Sequence, residues 1–346
     1  MRFLGVTVAV VLIAFAGVAP AQARPRDAIP VIYDSDMDFD DASTLAYLCE
    51  EDKLGRIDLR AVTVAEDGFG VPSRTLRHAH SVLTQCGLPQ VPIAAGAAGE
   101  GVHPAPAELV ATIETVLSGA LGDGDLPPVV SRLTASELIA RTALRSPRPV
   151  TILATGPLTN VADALASPRV AARVGRIQLM GGALHVPGNL YGSALPGYDN
   201  SQEFNMWMDP VSARDMLRRA RPGTVRLVPL DATAAVPITQ EYVARIGADQ
   251  QGAGARLVYR IATQPDLAAL IDLGIMYWWD ALAAVSLAHD DGSIATFGPT
   301  SIDIVLDGVQ SGRTVVTPAG HRVRAAAGAD RAAFEQRFLN SLNGRR

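Results

Sequence analysis

Short apolar runs alternate with amphipathic segments along most of the chain. Runs of five or six mostly apolar residues, typical of buried strands, occupy residues 29–33, 59–64, 91–95, 150–154, 176–180 and 225–229. Segments between them carry apolar residues every three or four positions, which predicts helices over 73–85, 107–117, 135–145, 160–166, 210–219 and 241–246. Because helices separate successive strands, we expect an α/β fold with a doubly wound, mostly parallel sheet flanked by helices.

The C-terminal part of the chain has a different pattern. Residues 301–323 alternate as an antiparallel hairpin or edge strands would, and residues 329–342 predict a closing amphipathic helix. The loops at 96–106 and 119–128 are rich in Gly, Pro and Ala, and we interpret them as surface segments rather than linkers between domains. We therefore predict a single domain over residues 24–346.

An acidic turn follows the first apolar run. Five carboxylates stand within eight residues, at Asp34, Asp36, Asp38, Asp40 and Asp41, and a helical pattern begins at once after them. Their mutual repulsion and desolvation would be costly, so we expect a cation there. Carboxylate oxygens without a partnering His or Cys favour Ca²⁺ first and Mg²⁺ second. The alternative, in which Asp40 and Asp41 only cap the helix, leaves Asp34 and Asp36 unexplained.

Polar residues also follow later strands, where doubly wound sheets bind their ligands. These groups begin after Val64, Ala154, Met180 and Pro229. Further on, Trp278-Trp279-Asp280 opens a helical pattern. Taken alone, it is best interpreted as two rings in the core and an Asp280 cap.

The first 23 residues differ from the rest of the chain. Arg2 precedes a long apolar core, and Ala21-Gln22-Ala23 ends it. This pattern predicts a secretory signal peptide over residues 1–23 and a secreted or periplasmic protein. Small rather than basic residues follow the apolar core, which disfavours an uncleaved membrane anchor.

Charge and cysteine content narrow the picture further. The formal net charge of −5 argues against a nucleic-acid partner. The chain has two cysteines, Cys49 and Cys86. In an exported protein they could form a disulfide, and two buried free thiols are the alternative.

Several motifs occur together in a shared order. They are DSDMDFDDA at 34–42, LATGPLTNVA at 153–162, LMGGA at 179–183, GN at 188–189, QEFNMWMDP at 202–210 and WDALAA at 279–284. On these motifs the chain resembles the inosine-uridine-preferring nucleoside hydrolase family over essentially its whole mature length. That family cleaves the N-glycosidic bond of ribonucleosides to free base and ribose with a bound calcium ion. The resemblance also implies a small-molecule nucleoside as partner and a homo-oligomer.

The resemblance assigns roles to individual residues. It implies that calcium is held by Asp36, Asp41, the backbone carbonyl of Thr155 and Asp280. Asp36 would also be the general base on a calcium-bound water. It further implies that the ribose hydroxyls are bound by Asp40, Asp67, Asn189, Glu203 and Asn205. Asp34 would orient the acidic turn.

Two positions depart from the family's pattern. Met37-Asp38 stands where members usually carry Pro-Gly, and the added charge bears on metal affinity. Trp279 stands where many members carry a histidine that protonates the leaving base. A purine-preferring branch has tryptophan there and stacks on the base, so Trp279 favours purine nucleosides. His103 is a second candidate acid, and Tyr191 and Tyr198 could border the base pocket.

Two other functions fit parts of the sequence. An apolar strand ending in Asp34-Ser35-Asp36 also resembles haloacid-dehalogenase-type phosphohydrolases, which need a basic residue after a later strand. Lys53, the only lysine, stands too early for that role. The other alternative is an exported nucleoside-binding or calcium-dependent protein with this fold but without turnover.

Overall fold

The computed structural model describes residues 27–96, 101–122, 130–190 and 197–346. The predicted signal peptide and Tyr191 lie outside these residues. Across the described ranges, no helix combines the length and apolar character that a membrane span requires.

The described strands form one nine-stranded sheet. They are β1 (Ile29–Ser35), β2 (Ile57–Val64), β3 (Ile93–Ala95), β4 (Val150–Ala154), β5 (Val174–Met180), β6 (Val225–Val228), β7 (Ala295–Ile304), β8 (Thr314–Val316) and β9 (His321–Ala329). Their order is β3-β2-β1-β4-β5-β6-β9-β7-β8. All neighbours from β3 to β9 are parallel, and β7 pairs antiparallel with both β9 and β8. The predicted doubly wound, mostly parallel sheet is confirmed.

Helices cover both faces of this sheet. They are α1 (Phe39–Lys53), α2 (Thr75–Gln85), α3 (Ala107–Leu121), α4 (Ala135–Arg145), α5 (Thr159–Leu165), α6 (Pro168–Ala171), α7 (Phe204–Met208), α8 (Pro210–Arg219), α9 (Leu230–Thr233), α10 (Gln240–Ala248), α11 (Ala253–Ala262), α12 (Pro265–Asp272), α13 (Trp279–Ala288) and α14 (Arg331–Leu342). Side chains alternate across each strand, so Tyr33 packs in a core with α1 and α13 while Ile32 packs in another with α4 and α5. Burial on both faces explains why the strands are apolar throughout.

The sequence predictions missed several elements, including the short helices α6, α7 and α9. Helices α11 and α12 were not predicted, although Leu257, Val258 and Ile261 provide a helical apolar stripe. Residues 301–323, predicted as an antiparallel hairpin or edge strands, contain the antiparallel pair of β7 and β8, with β8 at the sheet edge. Strand β9 begins within this range and lies inside the sheet between β6 and β7, which the pattern did not predict. Cys49 and Cys86 are buried free thiols.

The strand order reverses at β1, which lies between β2 and β4. Asp34 pairs in register with Ala154, and the Thr155 N–H donates to the Asp34 carbonyl over 2.9 Å. The chain then leaves β1 and β4 on opposite sides, which opens a crevice at their carboxyl ends. The acidic turn and the TGPLTN segment therefore meet at this switch point.

Candidate active site

A cavity of about 180 Å³ opens beyond the carboxyl ends of β1 and β4. Its polar wall is formed by Asp36, Asp38, Asp40, Thr155, Asn189, Glu203, Asn205 and Asp280. The rest of the lining is largely apolar and includes Leu109, Ile113 and Val116 of α3 and Trp279 of α13. Ten residues were assigned to binding the cation, the ribose or the base, and eight of them, Trp279 included, line this one cavity; Asp41 and Asp67 do not.

The acidic turn is organised by Asp38, the residue before α1. Its Oδ1 accepts hydrogen bonds from the backbone N–H groups of Asp40 (2.9 Å) and Asp41 (3.1 Å). The Asp41 carboxylate accepts the Asp38 N–H in return over 3.1 Å, which completes a capping box. Asp38 is the capping residue and Asp41 completes the capping box, so the capping alternative accounts for Asp41 but not for the Asp40 side chain. The Asp40 side chain is therefore available to the cavity.

Asp41 does not line the cavity, and its carboxylate is held in place by hydrogen bonds. Its Oδ1 accepts hydrogen bonds from the hydroxyls of Tyr33 and Thr155, each at 2.6 Å. Burial, together with the Asp41 charge, raises the pKa of Tyr33 well above its usual value, so the phenol remains a donor. These contacts fix the Asp41 carboxylate at the floor of the site.

Asp280 reaches the cavity from the start of α13. Its backbone N–H donates to Oδ2 of Asp40 over 3.2 Å. The expectation that Asp280 caps this helix is wrong, because it lies within the first turn and Trp278 occupies the cap position. Trp278 packs in the core, whereas Trp279 is half-buried and lines the cavity.

The carboxylates form two overlapping groups with metal-ligand spacing. Ligand oxygens of Asp36, Asp38 and Asp41 lie within 4.8 Å of one another, as do those of Asp38, Asp40 and Asp280. Among the described residues, no basic side chain forms an ion pair with any of these five aspartates of the two groups.

Four of these carboxylates have raised pKa values, and no basic side chain of the described residues offsets their negative charge. Burial raises the pKa values of Asp36, Asp40 and Asp280 well above their usual range, and repulsion from neighbouring aspartates raises them further. Burial also raises the pKa of Asp38, to about 6. Hard, uncompensated oxygens at this spacing fit a divalent cation of the Ca²⁺ or Mg²⁺ type.

The side chains assigned to ribose binding gather next to this cluster. Glu203 caps α7, with its carboxylate accepting from the N–H groups of Gly182 (2.9 Å) and Asn205 (3.0 Å). Burial raises the pKa of Glu203. The Asn205 amide donates to the Thr155 carbonyl over 3.0 Å, and Asn189 accepts from the Phe204 N–H over 3.0 Å. These bonds hold the ends of β4 and β5 around one polar wall.

Asp67 has a different place from the one the resemblance implies. It accepts a hydrogen bond from the Thr159 hydroxyl, which also lies 2.9 Å from Oδ2 of Asp209. Asp67 thus anchors its loop outside the cavity. The next residues of that loop hold Asp36, because the Phe69 N–H donates to Asp36 Oδ2 over 2.7 Å. We did not predict this positioning role, and Gly68 was the signal for it, since a Cβ there would lie 2.2 Å from Asp36 Oδ2.

The other candidate acid, His103, does not line the cavity. Its ring stacks on Trp207 with centroids 4.9 Å apart. Its nitrogens lie 2.9 Å from the Ser311 hydroxyl and 3.2 Å from the Tyr198 hydroxyl. Tyr198 packs edge-on against Trp207 and likewise stays off the cavity wall. His103 and Tyr198 therefore join loops behind the site.

Trp279 was predicted as part of the site, but the apolar residues of α3 beside it were not. Leu109, Ile113 and Val116 are spaced by four and three residues, so they share one face of α3. Trp279 completes this apolar part of the lining, with Phe39 edge-on at 6.4 Å and Tyr277 tilted at 5.6 Å between centroids. Such a surface suits a flat, weakly polar group.

Comparison with known proteins gives concordant matches. The family model described as inosine-uridine preferring nucleoside hydrolase matches residues 31–336. The pyrimidine-specific ribonucleoside hydrolase RihA of Citrobacter koseri is 34% identical over 227 residues, covering 64% of this chain and 66% of that protein. RihA of Salmonella arizonae is 35% identical over 212 residues, covering 60% and 61%. The matched region thus spans less than two thirds of either relative.

Solved structures share the fold at lower identity. An inosine-uridine preferring nucleoside hydrolase from Bacillus anthracis superposes with a TM-score of 0.78 at 22% identity, covering 91% of this chain and 99% of that one. A purine-preferring ribonucleoside hydrolase from Gardnerella vaginalis gives a TM-score of 0.70 at 22% identity, covering 91% and 98%.

Proposed function

The chain belongs to the inosine-uridine preferring nucleoside hydrolase family, and from that premise we propose that it hydrolyses the N-glycosidic bond of ribonucleosides to free base and ribose. The observation that carries the proposal is the mixed lining of the cavity. Carboxylates that have no basic partner among the described residues line it together with apolar side chains that include Trp279. Cleavage of a glycosidic bond needs an activated water on one side of the sugar and a site for the leaving group on the other.

Asp36 is the proposed general base. Its carboxylate faces the cavity, and the Phe69 N–H fixes Oδ2. Asp36 would take a proton from the attacking water while the water oxygen bonds to the anomeric carbon of the ribose. The electrons of the broken N-glycosidic bond would pass to the leaving nucleobase.

Asp40, Asn189, Glu203 and Asn205 are proposed to bind the ribose hydroxyls. All four line the same cavity as Asp36. Hydrogen bonds to the hydroxyls orient the sugar and strengthen as positive charge develops on the ring.

We propose Ca²⁺ as the cation, held by Asp36, Asp41, Asp280 and the Thr155 carbonyl. When bound, it would offset the carboxylate charge and lower the pKa of water beside Asp36. The Thr155 oxygen accepts one bond from Asn205, which leaves a second lone pair for a cation. Chelation should abolish activity, and added Ca²⁺ should restore it better than Mg²⁺.

Purine nucleosides are the proposed preferred substrates. The support is Trp279, whose half-buried ring offers a large π face to a bicyclic base. Relatives include a protein named pyrimidine-specific and a structural neighbour named purine-preferring, so the names alone do not decide the substrate. In this proposal stacking, rather than a cavity histidine, stabilises the departing base.

Release of reducing sugar from a panel of purine and pyrimidine nucleosides tests these proposals. We expect ribose release that EDTA abolishes. Release of phosphate from nucleotides instead would identify a phosphohydrolase, and nucleoside binding without ribose release would identify a non-catalytic binding protein. Either outcome contradicts the proposed function.

We also propose that the enzyme acts outside the cytoplasm on extracellular nucleosides. The support is the signal-peptide pattern of residues 1–23. N-terminal sequencing of the protein recovered from the producing cells tests it. A mature N-terminus at Arg24 agrees with export, and an intact N-terminus retained in the cytoplasm contradicts it.

A further inference from the structure

Asp38 faces the cavity although the resemblance gives it no role. It is the one residue shared by the two carboxylate groups, lying with Asp36 and Asp41 in one and with Asp40 and Asp280 in the other. Its side chain is half-buried and lines the cavity wall. No other carboxylate of the turn belongs to both groups.

Helix capping does not by itself account for a charged residue at this position. Both backbone N–H groups that Asp38 caps donate to the same oxygen, Oδ1. Asn or Ser caps a helix about as well as Asp. An Asp adds a charge beside four other carboxylates, which is unfavourable unless a cation offsets it.

We propose that Asp38 is a further ligand of the divalent cation, joining the two carboxylate groups through a side chain that also caps α1. This inference rests on the cation site of the proposed function. The capping bonds fix Oδ1, so the cation holds the same side chain that starts the helix. Cation binding and the order of the acidic turn are therefore linked, and an additional carboxylate raises affinity for Ca²⁺.

Calorimetric titration of the EDTA-stripped full chain with Ca²⁺ tests this proposal directly. Asp38→Asn keeps a capping acceptor and removes the charge, and Asp38→Ser keeps the cap with a side chain too short to reach the cation. We expect Ca²⁺ binding weaker by at least about tenfold in Asp38→Asn and at least as weak in Asp38→Ser. Circular dichroism and thermal melting without cation should show that both variants fold.

Asp209→Asn is the matched control. Asp209 is also a buried aspartate that caps a helix, accepting the Ser212 N–H over 2.9 Å, but it does not line the cavity. We expect its Kd for Ca²⁺ to stay within about twofold of the parent, because neither capping nor a remote charge sets cation affinity.

The outcomes separate this inference from the proposed function. Equal Ca²⁺ affinity in Asp38→Asn, Asp38→Ser and the parent overturns the inference. So does a loss of Ca²⁺ affinity in Asp209→Asn as large as that in the Asp38 variants. A parent protein without Ca²⁺ affinity overturns it too. Nucleoside cleavage by the Ca²⁺-saturated parent is measured alongside, and its absence contradicts the proposed function whatever Asp38 does to the Kd.

Discussion

The backbone N–H of Asp280 donates a 3.2 Å hydrogen bond to the Asp40 carboxylate, which lies 240 residues earlier in the chain. The bond joins the first turns of α1 and α13, so two helix N-termini point at the same cavity. Each N-terminus carries roughly half an elementary positive charge. Together the two N-termini offset only part of the negative charge that the five aspartates of the two carboxylate groups carry when ionised. The remaining negative charge suits a divalent cation.

Asp36→Asn should abolish turnover without unfolding the protein. Asn keeps the shape of the side chain and can still accept the Phe69 N–H, but it cannot take a proton from water. We expect kcat to fall by at least about a hundredfold. Steady-state ribose release measures this, with thermal melting as the check on folding. Near-normal kcat in a folded, Ca²⁺-saturated variant would refute Asp36 as the base.

Trp279→Ala should cost purine nucleosides more kcat/KM than pyrimidine nucleosides. A bicyclic base loses more stacking area, and a lost aromatic contact is worth about 0.5–1.5 kcal/mol beyond its buried area. Inosine and uridine assayed side by side provide the measurement. Trp279→Phe is the control, because it keeps an aromatic face and should restore part of the difference. Equal losses for both substrates would remove the stacking argument.

Most of the fold could be predicted because periodicity reports burial directly. Strands buried on both faces read as continuous apolar runs, and α4 and α8 were predicted with their observed limits. The position of β9 between β6 and β7 could not be read from local pattern, since a strand's alternation is the same at an edge and inside a sheet.

The candidate site was predictable to the extent that sequence motifs fix it. The eight cavity-lining residues come from segments that the sheet brings to one end. The displacement of Asp67 was not predictable, because it depends on hydrogen bonding to Thr159, 92 residues away. The role of Asp38 as cap depends on the left-handed backbone of Met37, at φ 59°, which local propensity does not favour for methionine.

Gly68→Ala should lower activity by displacing Asp36. The added Cβ would lie 2.2 Å from both Cβ and Oδ2 of Asp36, so the two residues must move apart. We expect kcat to fall by about a hundredfold, as for misplacement of a reacting group by about an ångström.

Gly298→Ala is the matched control, because a Cβ there meets no atom of the described part of the chain within 4 Å. Its kcat should equal that of the parent. Full activity in Gly68→Ala would show that the loop can retreat without moving the base, contrary to the positioning role assigned to it.

Asp34→Asn should stabilise the cation-free protein at high pH but not at low pH. Asp34 is fully buried, and its Oδ1 accepts from the Thr63 hydroxyl (2.5 Å) and the Asn160 amide (3.0 Å), while Oδ2 has no hydrogen-bond partner among the described residues. Burial raises its pKa from 3.8 to about 7. An amide keeps the acceptor and removes the ionisation.

The sign follows from proton linkage. Between pH 3.8 and about 7 the unfolded chain has released the Asp34 proton and the folded chain still holds it. The stability contributed by Asp34 is therefore complete below pH 3.8 and falls until the pH passes about 7. At pH 8 ionised Asp34 should cost on the order of 4 kcal/mol, at about 1.4 kcal/mol per pKa unit.

Urea unfolding of parent and Asp34→Asn in EDTA, from pH 4 to pH 8, measures this difference. The advantage of Asp34→Asn should grow with pH and level off above about 7, and saturating Ca²⁺ should reduce it because a nearby cation favours the ionised acid. Asp291→Asn is the control of opposite sign, since hydrogen bonds from Ser293 lower the pKa of that exposed acid. An advantage of Asp34→Asn that does not change with pH would mean that burial does not keep Asp34 protonated, and that the turn is stable without a cation to offset it.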